Sequence, residues 1–119
     1  MATVQDVRLI ALSLPETDEH PSYGGRPSFR VRKKGFLYLR DDQSVVVHVE
    51  SLDEKELLLA SDSRKFFTTP HYDGYSTVLV RYEELDVNEL RELIVDSWRL
   101  KAPTRLRAEF EASESVERY

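Results

Sequence analysis

Few side chains in this sequence are suited to catalysis or metal binding. The chain has no cysteine, which excludes disulfides, thiolate zinc sites, iron–sulfur clusters and cysteine nucleophiles. The three histidines, His20, His48 and His71, lack the spacing with which one helix or strand binds a metal. No carboxylate has a partner that would define a general acid/base pair, and no phosphate loop or nucleophile elbow is present. The sequence therefore predicts a protein that is not an enzyme and has neither metal nor cofactor.

Aromatic residues concentrate in one short segment. Residues 66–75 contain four aromatic side chains and a histidine, with Arg81 shortly after them. Aromatic side chains at a hairpin tip can stack on bases or on a planar ligand, while a nearby arginine neutralises phosphate. One of the two adjacent phenylalanines must face the core, which leaves His71 and Tyr72 as the best exposed candidates. The residues predicted to bind a small ligand are His71, Tyr72, Tyr75, Arg81 and Trp98.

Basic residues are unevenly distributed, although the formal net charge is −5. Residues 26–40 contain six basic residues and no acid, and residues 97–108 contain four and no acid. If folding brings both stretches onto one face, an acidic protein can still present a positive surface to a polyanion. The solvated face of any sheet shows the same alternation of basic and apolar residues, so both interpretations stay open. The predicted nucleic-acid-binding residues are Arg30, Arg32, Lys33, Lys34, His71, Tyr72, Arg99 and Lys101.

Hydrophobic periodicity and helix caps predict the elements that position these residues. The expected order is a helix after Thr3, three strands within 28–49 with a tight turn at Lys33–Gly35, a helix over about 52–61, two strands at 66–69 and 76–82, and a helix capped by Asp86. This order is typical of an α+β domain in which helices pack on one face of an antiparallel sheet of about five strands. We place the first and last helices against the sheet, and the middle helix either over an edge or crossing between hairpins. Residues 1–108 are predicted to form one domain, followed by an acidic tail, 109–119, that frays.

The composition is that of a soluble globular chain, with 40% hydrophobic and 33% charged residues. The longest apolar runs are far shorter than the ~20 residues that span a bilayer. The first residues lack the basic region and apolar core of a signal peptide. We therefore expect a cytoplasmic protein that is a monomer or a weak homodimer.

Several short motifs occur in a recognisable order. They are Leu12–Thr17, Ser28–Val31 with a basic turn leading to Phe36, Phe67–Tyr75 leading into Val78–Arg81, and Asp96–Arg99. Together they resemble the MmcQ/YjbR-like family of small bacterial proteins, over nearly the whole chain to about Leu106. The resemblance implies a fold similar to that of frataxin (CyaY-like) and a DNA-binding role through two wings. The wings would be the turn at 32–35 and the loop at 71–74, which is nearly neutral because it contains Asp73.

Three functions stay open at this point. The first is weak or non-specific DNA binding; contact with about four phosphates would give a slope of roughly −3.6 for log affinity against log salt. The second is a non-enzymatic domain that binds a small ligand or a protein. The third follows from the frataxin-like fold and has acidic residues of the first helix region, or Asp53, Glu54 and Glu56, bind iron or another hard cation. It ranks last, because helix capping and solubility already explain these acids.

Overall fold

A six-stranded antiparallel sheet is the central element of the computed structural model, which describes residues 1–117. The strands lie side by side in the order β1-β2-β3-β4-β6-β5. Their bounds are β1 Thr17–Pro21, β2 Pro27–Val31, β3 Lys34–Leu39, β4 Ser44–His48, β5 Phe66–Phe67 and β6 Thr77–Arg81. The predicted α+β class and the antiparallel meander are confirmed. The predicted number of strands was one too low, because β1 is mostly exposed and has no apolar alternation that would reveal it.

Four helices accompany the sheet: α1 Val4–Ser13, α2 Leu52–Ser61, α3 Val87–Lys101 and α4 Thr104–Glu117. Capping boxes at Thr3 and Asp86 begin α1 and α3, as their sequences predict. α3 crosses β3 and β4 and packs against α1, while α2 lies beside β5 and β6. The predicted positions of these three helices are therefore confirmed.

The segment that was expected to fray belongs to α4. Its Phe110 ring lies 4.9 Å from the Trp98 ring between centroids. Two of its carboxylates, Glu111 and Glu114, form ion pairs with Arg99 of α3. These contacts hold α4 on α3 as far as Glu114, and the helix itself continues to Glu117, within the segment for which the sequence predicts a frayed tail. The last two residues of the predicted tail, 118 and 119, lie outside the described residues.

The core lies between the sheet and the helices. Alternate residues of the central strands face α1 and α3, and their side chains are fully buried. They include Phe29, Val31, Leu37, Val45, Val47, Val78 and Val80. Trp98 of α3 is buried among them, and its indole N–H donates to the Pro15 carbonyl at 3.2 Å.

The β2–β3 hairpin departs from its predicted geometry. The turn consists of Arg32 and Lys33, whose φ angles of 46° and 72° are both left-handed, as in a type I′ turn. The turn predicted at Lys33–Gly35 is therefore one residue too late. Gly35 lies within β3, where a Cβ atom would clash with the Tyr38 hydroxyl. A shift of register next to Phe29 makes Phe36 the extra residue of a β-bulge, and Phe36 is fully buried.

Ser97 connects α3 to the sheet at the point where β3 and β4 stop pairing. The Leu37–Val47 register, continued by one residue, would pair Phe36 with His48. Instead, the Ser97 hydroxyl donates to the Phe36 carbonyl at 2.5 Å and accepts from the His48 N–H at 2.9 Å. The hydroxyl thus replaces one ladder hydrogen bond by two. Both backbone groups stay satisfied while the strands separate beneath α3.

The imidazole of His48 is poorly solvated. Burial, together with the positive charge of Lys101, lowers the pKa of His48 to about 4. The ring lies edge-on to Tyr38, with centroids 6.2 Å apart. Within the described residues its Nε2 atom has no hydrogen-bond partner. His48 is therefore a neutral structural residue at pH 7.

Replacing Ser97 by alanine should destabilise the protein strongly. The change leaves a buried carbonyl and a buried N–H without partners, so we expect the free energy of unfolding to fall by about 2–3 kcal/mol. Urea denaturation followed by circular dichroism measures this change. Ser61→Ala is the matched control, because the Ser61 hydroxyl bonds an exposed helix carbonyl. A loss for Ser97→Ala no larger than that of the control would contradict the role of the hydroxyl bridge.

The low pKa of His48 predicts a loss of stability in acid. Between the unfolded pKa of 6.5 and the folded value of about 4, the unfolded chain binds more protons, so stability falls as the pH falls. Between pH 7 and pH 5 we expect the free energy of unfolding to fall by about 1 kcal/mol less in His48→Gln than in the wild type. This value is reduced for the partial exposure of the ring. The exposed His71 supplies the control, His71→Gln. Equal pH dependence in wild type and His48→Gln would refute the assignment.

Candidate functional site

The loop between β5 and β6 contains three of the predicted site residues. Pro70–Tyr72 forms a single 3₁₀ turn. The Tyr72 N–H donates to the Thr69 carbonyl at 2.9 Å, and the Tyr75 N–H donates to the Tyr72 carbonyl at 3.2 Å. Gly74, with φ of 82°, reverses the chain between them. Residues 69–76, here called the recognition loop, are thus a series of hydrogen-bonded turns.

A buried lysine of α2 holds the recognition loop. Lys55 is only 4% exposed, and its Nζ donates to the carbonyls of Tyr72 at 2.6 Å and Tyr75 at 2.9 Å. Burying an ammonium without hydrogen bonds costs several kcal/mol. The two carbonyls therefore stabilise the buried lysine, and the lysine in turn fixes the loop. Sequence analysis missed Lys55. Lys55 lies three and four residues before Leu58 and Leu59, which pack on the core. This spacing places it on a helical face that normally carries apolar residues, and a lysine there was the signal of a buried charge.

The recognition loop presents aromatic side chains to solvent. His71 is exposed and lies edge-to-face on Tyr72, with ring centroids 4.7 Å apart. Tyr75 is 66% exposed. Tyr72 is half-buried, and its hydroxyl lies near Arg40, whose pKa is raised chiefly by the hydrogen bond to Asp42 and further by that hydroxyl. The predicted candidates His71, Tyr72 and Tyr75 therefore lie together on one rigid loop.

The other two residues predicted to bind a small ligand have structural contacts of their own. Trp98 is fully buried in the core and cannot contact a ligand, contrary to the prediction. Its helical spacing is that of the core face of α3. The Arg81 guanidinium stacks 4.0 Å from the centre of the Phe67 ring and donates to the carbonyls of Ser63 and Arg64 at 3.2 and 3.4 Å. Arg81 thus holds β5 against β6.

The arginines of β2 and its turn are neutralised within the chain. Arg30 forms an ion pair with Asp18 across the β1–β2 ladder at 3.1 Å. Arg32 donates twice to the Glu16 carboxylate, at 2.7 and 2.9 Å. These hydrogen bonds lower the pKa of Glu16 and raise that of Arg32, to which Glu109 of α4 adds a smaller effect. The acids come from β1 and from Glu16 directly before it, in a part of the chain where no apolar alternation reveals a strand.

Arg99 is also neutralised. Three carboxylates surround its guanidinium: Asp96 at 3.4 Å, Glu111 at 3.5 Å and Glu114 at 3.4 Å. Two of the three belong to α4, the element that sequence analysis did not predict. Arg99 therefore serves to attach α4 to α3.

Three predicted lysines remain outside these ion pairs. Lys33 and Lys34 are exposed at the end of the β2–β3 hairpin, and no carboxylate of residues 1–114 lies within 4.0 Å of either ammonium. Lys101 is half-buried at the end of α3, close enough to His48 to lower its pKa. Among the predicted basic residues, Lys33 and Lys34 are thus the pair that combines exposure with the absence of a carboxylate partner within residues 1–114.

The acids considered for a cation do not form a cluster. Asp53 and Glu54 lie in the first turn of α2, where the Ser51 hydroxyl accepts from the Glu54 N–H at 3.1 Å. Throughout the described part of the chain, no three histidine, aspartate or glutamate side chains are grouped as metal ligands. None of the described helices combines the length and apolar character needed to cross a membrane.

Comparison with known proteins places this architecture in a family. Residues 12–100 match the family model named YjbR. The uncharacterized proteins Rv2570 of Mycobacterium tuberculosis and Mb2600 of Mycobacterium bovis are each 36% identical to the chain over 124 aligned positions. Each alignment covers 89% of this chain and 93% of the relative.

A solved structure shares the fold. The crystal structure of Deinococcus radiodurans protein DR2400, with a domain of the family model DUF419, superposes with a TM-score of 0.71 at 21% identity. The superposition covers 84% of this chain and 78% of that one. The family match and the mycobacterial relatives together confirm the resemblance seen in the sequence motifs: the chain belongs to the YjbR family.

Proposed function

We propose that this YjbR-family protein is a non-enzymatic binding domain of the cytoplasm that recognises a protein partner through the recognition loop. The observation that carries the proposal is the buried Lys55, whose ammonium holds the carbonyls of Tyr72 and Tyr75. A core position of α2 is thus occupied by a lysine that fixes the shape of an exposed loop. Binding residues are often carried by loops that a rigid scaffold positions.

The side chains of the loop suit a protein interface. Tyrosine is enriched at interfaces because a rigid aromatic ring with a polar end offers contact area at low entropic cost. Tyr75 and His71 are exposed, while the turn beneath them is already ordered. A partner therefore does not have to order the loop on binding, which favours affinity. Trp98, one of the residues predicted for a small-ligand site, is buried in the core, which favours a protein partner over a small ligand.

Weak DNA binding is a second candidate, supported by one observation. Lys33 and Lys34 sit together at an exposed hairpin tip, the position that a wing would occupy. Two phosphate contacts would give a salt slope of about −1.8, half of that expected from four contacts. The paired Arg30, Arg32 and Arg99 do not add to it unless a phosphate displaces their carboxylates.

Photo-crosslinking tests the recognition loop. With p-benzoylphenylalanine in place of Tyr75, expressed in the native cell, we expect one discrete protein adduct. The same substitution at Leu9, which is 61% exposed on α1, is the control. The adduct should be lost in His71→Ala and in Lys55→Met. Circular dichroism verifies that both variants are folded. The proposal would be refuted if the probe at Tyr75 gave no adduct other than those formed by the probe at Leu9. It would also be refuted if the Tyr75 adduct survived both substitutions.

A duplex titration tests DNA binding. Fluorescence anisotropy with a labelled DNA duplex at low salt should give a dissociation constant near the weak end of non-specific binding, about 10⁻⁴ M. Lys33→Glu with Lys34→Glu should abolish it. The control pair, Arg64→Glu with Arg91→Glu, makes the same charge change at exposed residues elsewhere. Equal loss in both pairs, or no binding by the wild type, eliminates a role for the hairpin tip.

A further inference from the structure

A groove of about 790 Å³ runs between α2 and α3, here called the α2–α3 groove. Its floor is apolar and includes Leu58, Phe66 and Leu93. Leu58 and Leu93 are only partly buried where they pack on the core, and Leu100 at one end is 42% exposed. Incompletely covered apolar surface of this kind gains free energy when a partner covers it.

The rim of the groove is strongly acidic. Six carboxylates and two guanidinium groups line it. Some of the acids already have partners: Glu89 pairs with Lys65 at 2.7 Å, and Asp96 and Glu111 pair with Arg99.

Three other carboxylates of the rim carry uncompensated charge. Glu50, Glu54 and Glu92 are exposed, and no basic side chain within residues 1–114 lies within 4.0 Å of them. Glu50 and Glu54 belong to the α2 side and Glu92 to the α3 side. Negative charge therefore flanks the apolar floor from both sides.

We propose that the α2–α3 groove docks a basic amphipathic segment of a protein partner. Apolar side chains of that segment cover the Leu58 and Leu93 floor, and its lysines or arginines pair with the free carboxylates of the rim. An amphipathic helix laid into a groove is a common form of peptide recognition. One ion pair of this kind already exists at the rim, where the Lys65 ammonium pairs with the Glu89 carboxylate.

The charge of the groove selects this occupant over others. A nucleic acid or an acidic peptide would be repelled by the rim. A bound metal ion would need ligands grouped around one point, and the described residues offer no such group. The inference does not rest on the recognition loop, since none of residues 69–76 lines the groove.

A peptide titration tests the groove. The probe is a fluorescein-labelled helix of about 14 residues, built from leucine and lysine with leucines on one face. Glu50→Gln, Glu54→Gln and Glu92→Gln together should weaken binding at least about tenfold at low salt, since each charge contributes modestly. The control, Glu56→Gln, Glu83→Gln and Glu84→Gln, makes an equal charge change outside the groove and should change affinity less than about threefold.

The apolar floor is tested separately. Leu100→Ser should weaken the peptide about fivefold or more, because the floor loses apolar contact area. Leu57→Ser is the control, since Leu57 is 67% exposed and lies outside the groove. Equal effects in the groove and control variants, or no binding by the wild type, would overturn the proposal. Crosslinking from Tyr75 distinguishes failure of the groove proposal from failure of the recognition-loop proposal. If the loop proposal is correct, the Tyr75 adduct persists in the variant of Glu50, Glu54 and Glu92.

Discussion

Every buried polar group must find a hydrogen-bond partner, and two helix side chains meet that constraint through long-range hydrogen bonds with the backbone. Ser97 bridges the Phe36 carbonyl and the His48 N–H, which allows α3 to lie across diverging strands. Lys55 satisfies two carbonyls of the recognition loop. The first contact fixes the helices on the sheet, and the second fixes the surface that we assign to recognition. Both are long-range contacts made by polar residues on helices that otherwise bury apolar ones.

Local signals predicted much of the fold. The capping boxes at Thr3 and Asp86 and the apolar face of α3 depend on nearby residues only, so they are readable from the sequence. β1 and α4 lack such signals: β1 is mostly exposed, and α4 is only weakly amphipathic. Their positions depend on tertiary contacts with the neighbouring elements β2 and α3. The candidate site was predicted less well for the same reason, since Lys55 reveals its role only once the recognition loop is folded over it.

The two elements that the sequence did not predict, β1 and α4, also explain why the charge pattern predicted a larger basic surface than the fold presents. β1 and the turn before it supply the acids that pair with Arg30 and Arg32, and α4 supplies two of those that surround Arg99. Several arginines of the basic runs are thus paired in the fold, whereas Lys33 and Lys34 stay exposed at the hairpin tip. The acidic residues of α2 and α3 were not compensated to the same degree, and they leave the negative rim of the α2–α3 groove. What distinguishes this domain is therefore where its carboxylates remain unpaired.

The β2–β3 turn has a consequence for the order in which the chain folds. Left-handed Arg32 and Lys33 carry side chains in a conformation that suits asparagine and glycine, and Gln43 in the next connection is also left-handed, with φ of 61°. Neither connection favours hairpin nucleation. Assembly of the meander must then wait for distant segments, such as the Ser97 region of α3 docking on Phe36. We expect a late, diffuse transition state in which helix docking and strand pairing occur together.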